Sequence, residues 1–167
     1  AGNAALLACC DVIIATENST LGMTRPDLIE GGPSSYTPEE VGPMSMQSPN
    51  GVVDILVKDD AAAVATVKKY LSYFQGPVDH FEVRDQRPMR HIIPEDRVRT
   101  YDMCDILDTL ADEGSILELR KDFAHGIITA LIRIEGKPVG FVSNNPAYLA
   151  GAVDSDGADK ACRFMQL

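Results

Sequence analysis

The sequence predicts an α/β chain, and three observations carry the prediction. The run Ile127 to Ile134 is rich in β-branched residues, and Val139 to Val142 resumes that signal after Glu135-Gly136-Lys137-Pro138, which reads as a hairpin. Apolar residues at helical spacing recur at Val64, Val67 and Leu71 and again at Met103, Ile106, Leu107 and Leu110. The composition, 45% hydrophobic and 24% charged with glycine and proline in turns, fits a packed globular chain rather than a low-complexity one.

Taken in order, Gly2 reads as a turn feeding a short helix before Asp11, and Val12-Ile13-Ile14-Ala15 as the strand after it. Thr37-Pro38 followed by Glu39-Glu40 suits a helix start, where paired acids complement the positive end of the dipole. Asp59-Asp60 supplies acids at a further helix start, whose stripe Val64, Val67 and Leu71 is assigned to packing. The polar, proline-containing stretch from Gly76 to Pro94 reads as an interdomain connection. After the hairpin, Asn144-Asn145-Pro146 and Gly151 make an irregular loop. Asp154 or Ser155 then caps a helix with apolar positions Ala158, Ala161, Cys162 and Met165. That helix N-terminus faces the loop, which suits an anionic or carbonyl ligand.

Charge and composition exclude several functions. A net charge of −10 argues against nucleic acid, because a phosphate-tracking surface needs a basic excess. It leaves room for coenzyme A, whose phosphates need only a few local cations, with Arg25, Lys58, Lys68, Lys69 and Arg84 as candidates. Of the four cysteines, Cys9 and Cys10 are adjacent and Cys104 and Cys162 solitary, a pattern without zinc-ligand spacing. They fit small apolar residues of a reducing compartment, so no metal is expected and the cytoplasm is the expected location, or the mitochondrial matrix in a eukaryote. No apolar run reaches membrane-spanning length, so no membrane is expected. His80, His91 and His125 accompany no serine in a G-x-S-x-G setting, which leaves a hydrolase triad unsupported.

Two sets of residues carry a resemblance to a known family. The first is the strand pair ending Gly136-Lys137-Pro138-Val139-Gly140, then Asn144-Asn145-Pro146, Gly151-Ala152-Val153-Asp154 and Lys160-Ala161-Cys162-Arg163-Phe164, preceded by Tyr101-Asp102-Met103-Cys104-Asp105-Ile106 and Asp112-Glu113. The second is Gly2-Asn3-Ala4-Ala5-Leu6-Leu7-Ala8-Cys9-Cys10-Asp11 with its following strand, continued by Ser19-Thr20-Leu21-Gly22-Met23, Pro26-Asp27-Leu28-Ile29, Thr37 to Gly42 and Asn50-Gly51-Val52. Together they resemble the β-subunit-type carboxyltransferase component of biotin-dependent acyl-CoA carboxylases, a branch of the crotonase superfamily. The resemblance weakens only from about Gln75 to His91.

The resemblance implies a crotonase-like ββα-superhelix. Because a whole carboxyltransferase of this type has two such domains, the chain is expected to be a fragment. Residues 1–97 would be the later part of the N-terminal domain with its linker, and residues 98–167 the beginning of the C-terminal one. The implied reaction moves a carboxyl group from carboxybiotin, carried on a separate domain or subunit, to the α-carbon of an acyl-CoA. The expected course is release of CO₂ in a dry pocket, α-proton removal by the biotin ureido group and attack of the enolate on CO₂. The protein then contributes backbone dipoles and positioning. Ala1, Gly2 and Asn3 would form the oxyanion turn for the thioester, with Ala1 where the family usually has a glycine. Gly22, Met23 and Gly32 would line the acyl-CoA pocket. Asn144, Asn145, Gly151 and Ala152 would face biotin. The implied partners are acyl-CoA, a biotin carboxyl carrier, a biotin carboxylase and further copies of the chain in an oligomer. Two alternatives stay open: an enoyl-CoA hydratase or isomerase using Glu30 or Glu39, and a non-catalytic binding or assembly piece.

Overall fold

The structure, a computed structural model, describes residues 2–22, 40–96 and 98–167. The chain divides into two compact units, Ala1–Thr66 and Val67–Leu167. In the first, helix α1 (Gly2–Ala8) precedes strand β1 (Ile14–Thr16), which pairs in parallel with β2 (Ile55–Val57), Ile14 opposite Ile55. Helix α2 (Met44–Gln47) lies between them in sequence. Ile13, Ala15, Met44 and Val53 form the buried cluster, with Leu7 of α1 and Leu21 packed against it. A parallel pair needs a long crossover, and the side chain of Asp54 fastens its return by accepting from the Ile13 amide at 2.8 Å.

Gly42 is the tightest joint of this unit. It sits at φ +75°, a Cβ there would meet the Leu21 carbonyl oxygen at 1.9 Å, and its own carbonyl accepts from the Leu21 amide at 2.8 Å. Only glycine fits that approach.

The second unit is built around an antiparallel sheet in the order β3 (Leu117–Leu119), β4 (Ile127–Ile134), β5 (Lys137–Asn144). The expected hairpin is present. Its loop is shorter than expected: only Glu135 (φ 50°) and Gly136 (φ 74°) lie outside the strands, both left-handed as a type I′ turn demands. Lys137 and Pro138 already pair with Ile134 and Arg133, and Pro138 is tolerated because β5 is an edge strand.

Strand β4 is buried over Ile127–Arg133, with both of its faces covered. Ile128, Ala130 and Ile132 cluster with Leu107 and Ala111 at the C-terminal end of helix α5 (Met103–Leu110). On the alternate face, helix α6 (Ser155–Gln166) brings Gly157 against Ile127 and the Phe164 ring against Gly140, the partner of Leu131. Asp154 caps α6 by accepting from the Gly157 amide at 2.8 Å, as expected.

Two apolar stripes read from the sequence face the wrong way. On α3 (Asp60–Ser72) Val64, Val67 and Leu71 are exposed. The inward side instead presents Lys69, whose ammonium donates to the Ile116 carbonyl at 2.7 Å, and leads into buried Tyr73 in the 3₁₀ turn Tyr73–Gln75. On α6 Ala158, Cys162 and Met165 are exposed or nearly so, and the inward face is Gly157, Lys160, Ala161 and Phe164. In both helices hydrogen bonds to carbonyls outweighed hydropathy in choosing the inner face.

The stretch after α3 belongs with the hairpin. The Arg133 guanidinium donates to the carbonyls of Ser72 (2.8 Å), Gly76 (3.1 Å) and Gly136 (2.7 Å) and lies over the Tyr73 ring. Val78 N–H also donates to the Gly136 carbonyl at 3.0 Å and Glu113 N–H to that of Glu82 at 2.8 Å. The connection expected from Gly76 to Pro94 is thus partly docked, with a short helix α4 (Met89–Ile92) further on.

Candidate functional site

The loop between β5 and α6 brings together the four residues expected to face biotin. The Asn144 side-chain amide donates to the Gly151 carbonyl at 3.1 Å, closing the loop across Pro146. Gly151 has φ +84°, and a Cβ there would meet that same Asn144 amide at 2.8 Å. Asn145 N–H donates to the Gly126 carbonyl at 2.8 Å, while its side-chain oxygen accepts from Ala147 N–H at 3.1 Å. Ala152 is exposed beside them, its N–H bonded to the Leu149 carbonyl.

Beneath this loop runs a cleft of about 490 Å³, lined among others by Cys104, Glu118, His125, Asn145 and Lys160. Lys160 is 1% exposed, and its ammonium donates to the Phe123 carbonyl at 2.8 Å. Burial pulls the lysine down to about 8, against the smaller opposing pull of Glu118. Burial likewise raises the Glu118 carboxyl, opposed by Lys121 and Lys160, and pushes the Cys104 thiol up to about 11, leaving it protonated and unreactive at neutral pH.

In the first unit Gly2 and Asn3 open α1, so the turn expected there is already the first helical turn. The backbone N–H groups of a first turn have no intrahelical acceptor. Gly22 lines an apolar cavity of about 260 Å³ beside α1, together with Leu7, Ile13, Leu21, Gln47 and Val52. The Gln47 side chain holds the Leu21 carbonyl at 2.8 Å on its wall. Ala1, Met23 and Gly32 lie outside the described residues, as do Glu30 and Glu39 and the helix start expected at Thr37.

The resemblance implies no role for Lys160. A signal existed: Gly157, Lys160, Ala161 and Phe164 follow i, i+3, i+4, i+7 spacing once the lysine stem is counted as apolar. Asp112 had no such signal, since its two hydrogen-bond donors, the Glu135 and Gly136 amides, lie far along the chain.

The model of the carboxyl transferase domain family matches residues 1–167. A carboxylase of Bacillus subtilis (strain 168), YngE, is 33% identical over 184 aligned residues, covering 100% of this chain and 35% of its own. The propionyl-CoA carboxylase beta chain of Roseobacter denitrificans is 30% identical, covering 93% of this chain and 32% of its own. A solved single-chain, multi-domain long-chain acyl-CoA carboxylase superposes with a TM-score of 0.93 at 48% identity, over 99% of this chain and 17% of that one. The chain thus spans about a third of the length of these curated relatives. The α/β, crotonase-like class expected from the sequence is the one these carboxyltransferases share. The match along its whole length shows that the chain belongs to the carboxyl transferase domain family.

Proposed function

We infer that the chain is part of a carboxyltransferase that moves a carboxyl group from carboxybiotin to the α-carbon of an acyl-CoA. The observation that carries this reading is the match of the chain to the carboxyl transferase family over residues 1–167 and to a solved long-chain acyl-CoA carboxylase over 99% of its length. In it, residues 1–97 belong to the N-terminal domain with its linker and residues 98–167 open the C-terminal one.

Carboxybiotin supplies the carboxyl group; the chain supplies donors and shape. The N–H groups of Gly2 and Asn3, with Ala1, would face the thioester oxygen as negative charge develops on it, where fixed dipoles need no reorganisation. Gly22, with Met23 and Gly32, would border the acyl-CoA. Asn144 and Asn145 present planar amides on a loop closed by Gly151, with Ala152 leaving the approach open. Such amides match the carbonyl and N–H of a ureido group, so the residues fit biotin. A biotin carboxyl carrier, a biotin carboxylase and further copies of the chain complete the proposed assembly. We place the chain in a reducing compartment, cytoplasm or mitochondrial matrix, where cysteines without paired spacing stay reduced.

The test is a chimera in which this chain replaces the corresponding third of a propionyl-CoA carboxylase beta chain. Carboxylation of acetyl-, propionyl- and longer acyl-CoAs is then measured with the carrier and biotin carboxylase present. Transfer to at least one thioester is expected. A folded chimera that carboxylates none of them would sink the reading.

A further inference from the structure

Among the described residues Lys160 is the largest fully buried side chain, while Asp156, Asp159 and Gln166 of the same helix are exposed. A lysine is rarely sequestered so completely, and where it is, the ammonium needs acceptors. Here the acceptors are backbone carbonyls, Phe123 at 2.8 Å and Ala124 at 3.5 Å. Both belong to the turn between β3 and β4, where Arg120 and Ala124 hold positive φ of 56° and 48°. A non-glycine residue adopts that conformation at a cost of about 1 kcal/mol or more, so something outside the turn must hold it.

The turn in turn supports the loop expected to face biotin. Gly126 accepts the Asn145 amide at 2.8 Å, and a Cβ on Gly126 would meet the Tyr148 ring at 3.0 Å. The His125 ring meets the Tyr148 ring edge-on, with centroids 6.3 Å apart. One short chain of contacts therefore runs from the Lys160 ammonium through residues 123–126 to Asn145 and Tyr148.

We propose that Lys160 is a positioning residue, which through the Phe123 and Ala124 carbonyls sets the height and orientation of the Asn144–Gly151 loop for the biotin-side substrate. The assignment to biotin rests on the carboxyltransferase reading; the mechanical link does not. The Lys160 side chain is 1% exposed and its ammonium is engaged with the carbonyls of the turn, so its influence on the loop passes through that turn.

The link is measured first, in the 167-residue chain, by amide hydrogen exchange of wild type, Lys160→Met and Tyr148→Leu. Methionine keeps the stem and removes the donor. Exchange at Asn145 and across residues 145–152 is expected to rise at least tenfold in Lys160→Met, with Ile128–Ile132 protected as in wild type. Tyr148→Leu alters only a partly exposed ring, so it folds whatever the lysine change does, and it should loosen the same residues. Unchanged exchange at Asn145 in a folded Lys160→Met chain overturns the link, and so does unchanged exchange in Tyr148→Leu should the lysine variant fail to fold.

The functional half is read in the chimeric carboxylase. Lys160→Met should raise KM for free biotin at least fivefold and leave KM for the acyl-CoA unchanged, a split that general destabilisation does not produce. Equal rises in both constants overturn the positioning role. Absence of transfer in the wild-type chimera would instead overturn the carboxyltransferase reading, while the link stands or falls on exchange alone.

Discussion

Replacing Asp112 by alanine should remove much of the stability of the second unit. Its carboxylate is 4% exposed and accepts the Glu135 amide at 3.0 Å and the Gly136 amide at 2.7 Å, the two residues of the hairpin turn. Its own N–H donates to the Arg133 carbonyl at 2.9 Å, so the residue is fastened to the hairpin from both backbone and side chain. Hydrogen bonds to a charged group contribute about 1.5–3 kcal/mol each, so losing two, and leaving the buried Gly136 amide without its acceptor, should cost about 3–6 kcal/mol. Against the ~5–15 kcal/mol that separates folded from unfolded domains, that is a large share. Asp112→Asn keeps one oxygen but turns an N–H₂ toward the second amide, so about half of the loss or more is expected. Urea unfolding followed by far-ultraviolet circular dichroism measures both, with an unchanged dependence on denaturant showing that the same cooperative unit unfolds. A loss below about 1 kcal/mol for Asp112→Ala would refute the argument, since it would mean that water replaces the carboxylate at the turn.

Two further outcomes follow from the geometry. The Lys160 ammonium releases its proton at about 8 in the folded chain and near its ordinary 10.5 when unfolded, so between those values the unfolded chain binds more protons and stability rises with pH. The limiting slope is about 1.4 kcal/mol per pH unit. Comparing wild type with Lys160→Met from pH 8 to 10 isolates it, because the other shifted groups, Lys69 lowered by burial and Cys104 and Tyr73 raised by it, are common to both chains. A wild-type curve parallel to that of the methionine variant would contradict the burial of the charge. Gly42→Ala places a methyl against the Leu21 carbonyl and forces a side chain into left-handed backbone, so it should lower the thermal midpoint of the first unit by more than about 10 °C, corresponding to roughly 2 kcal/mol or more. An unchanged midpoint would show that the Gly42–Leu21 joint opens freely.

Local elements were legible in the sequence wherever the signal lay within a few residues. The β-branched run from Ile127, the Glu135-Gly136 turn and the Asp154 cap each depend on backbone preferences that operate over one to four positions, and each is found in the structure. The family was legible too, because an ordered series of short motifs persists when overall identity is near 30%. The four positions expected to face biotin lie together at the end of β5 and in the loop after it because they are close in sequence, so folding had little left to decide about their proximity.

Which face a helix turns inward was decided only by tertiary structure. Hydropathy alone would bury Val64, Val67 and Leu71, yet they are exposed at 55%, 40% and 50%, while Lys69 and Lys160 reach inward to carbonyls. The same holds for the Asp112 carboxylate on the hairpin turn and the Arg133 guanidinium on the carbonyls of Ser72 and Gly76. Each of these contacts joins positions more than twenty residues apart, and a buried ionic group is tolerable only when such distant partners are already in place. Composition and periodicity specify what a segment can become; the acceptor that makes a buried lysine or arginine affordable exists only once the chain has closed on itself.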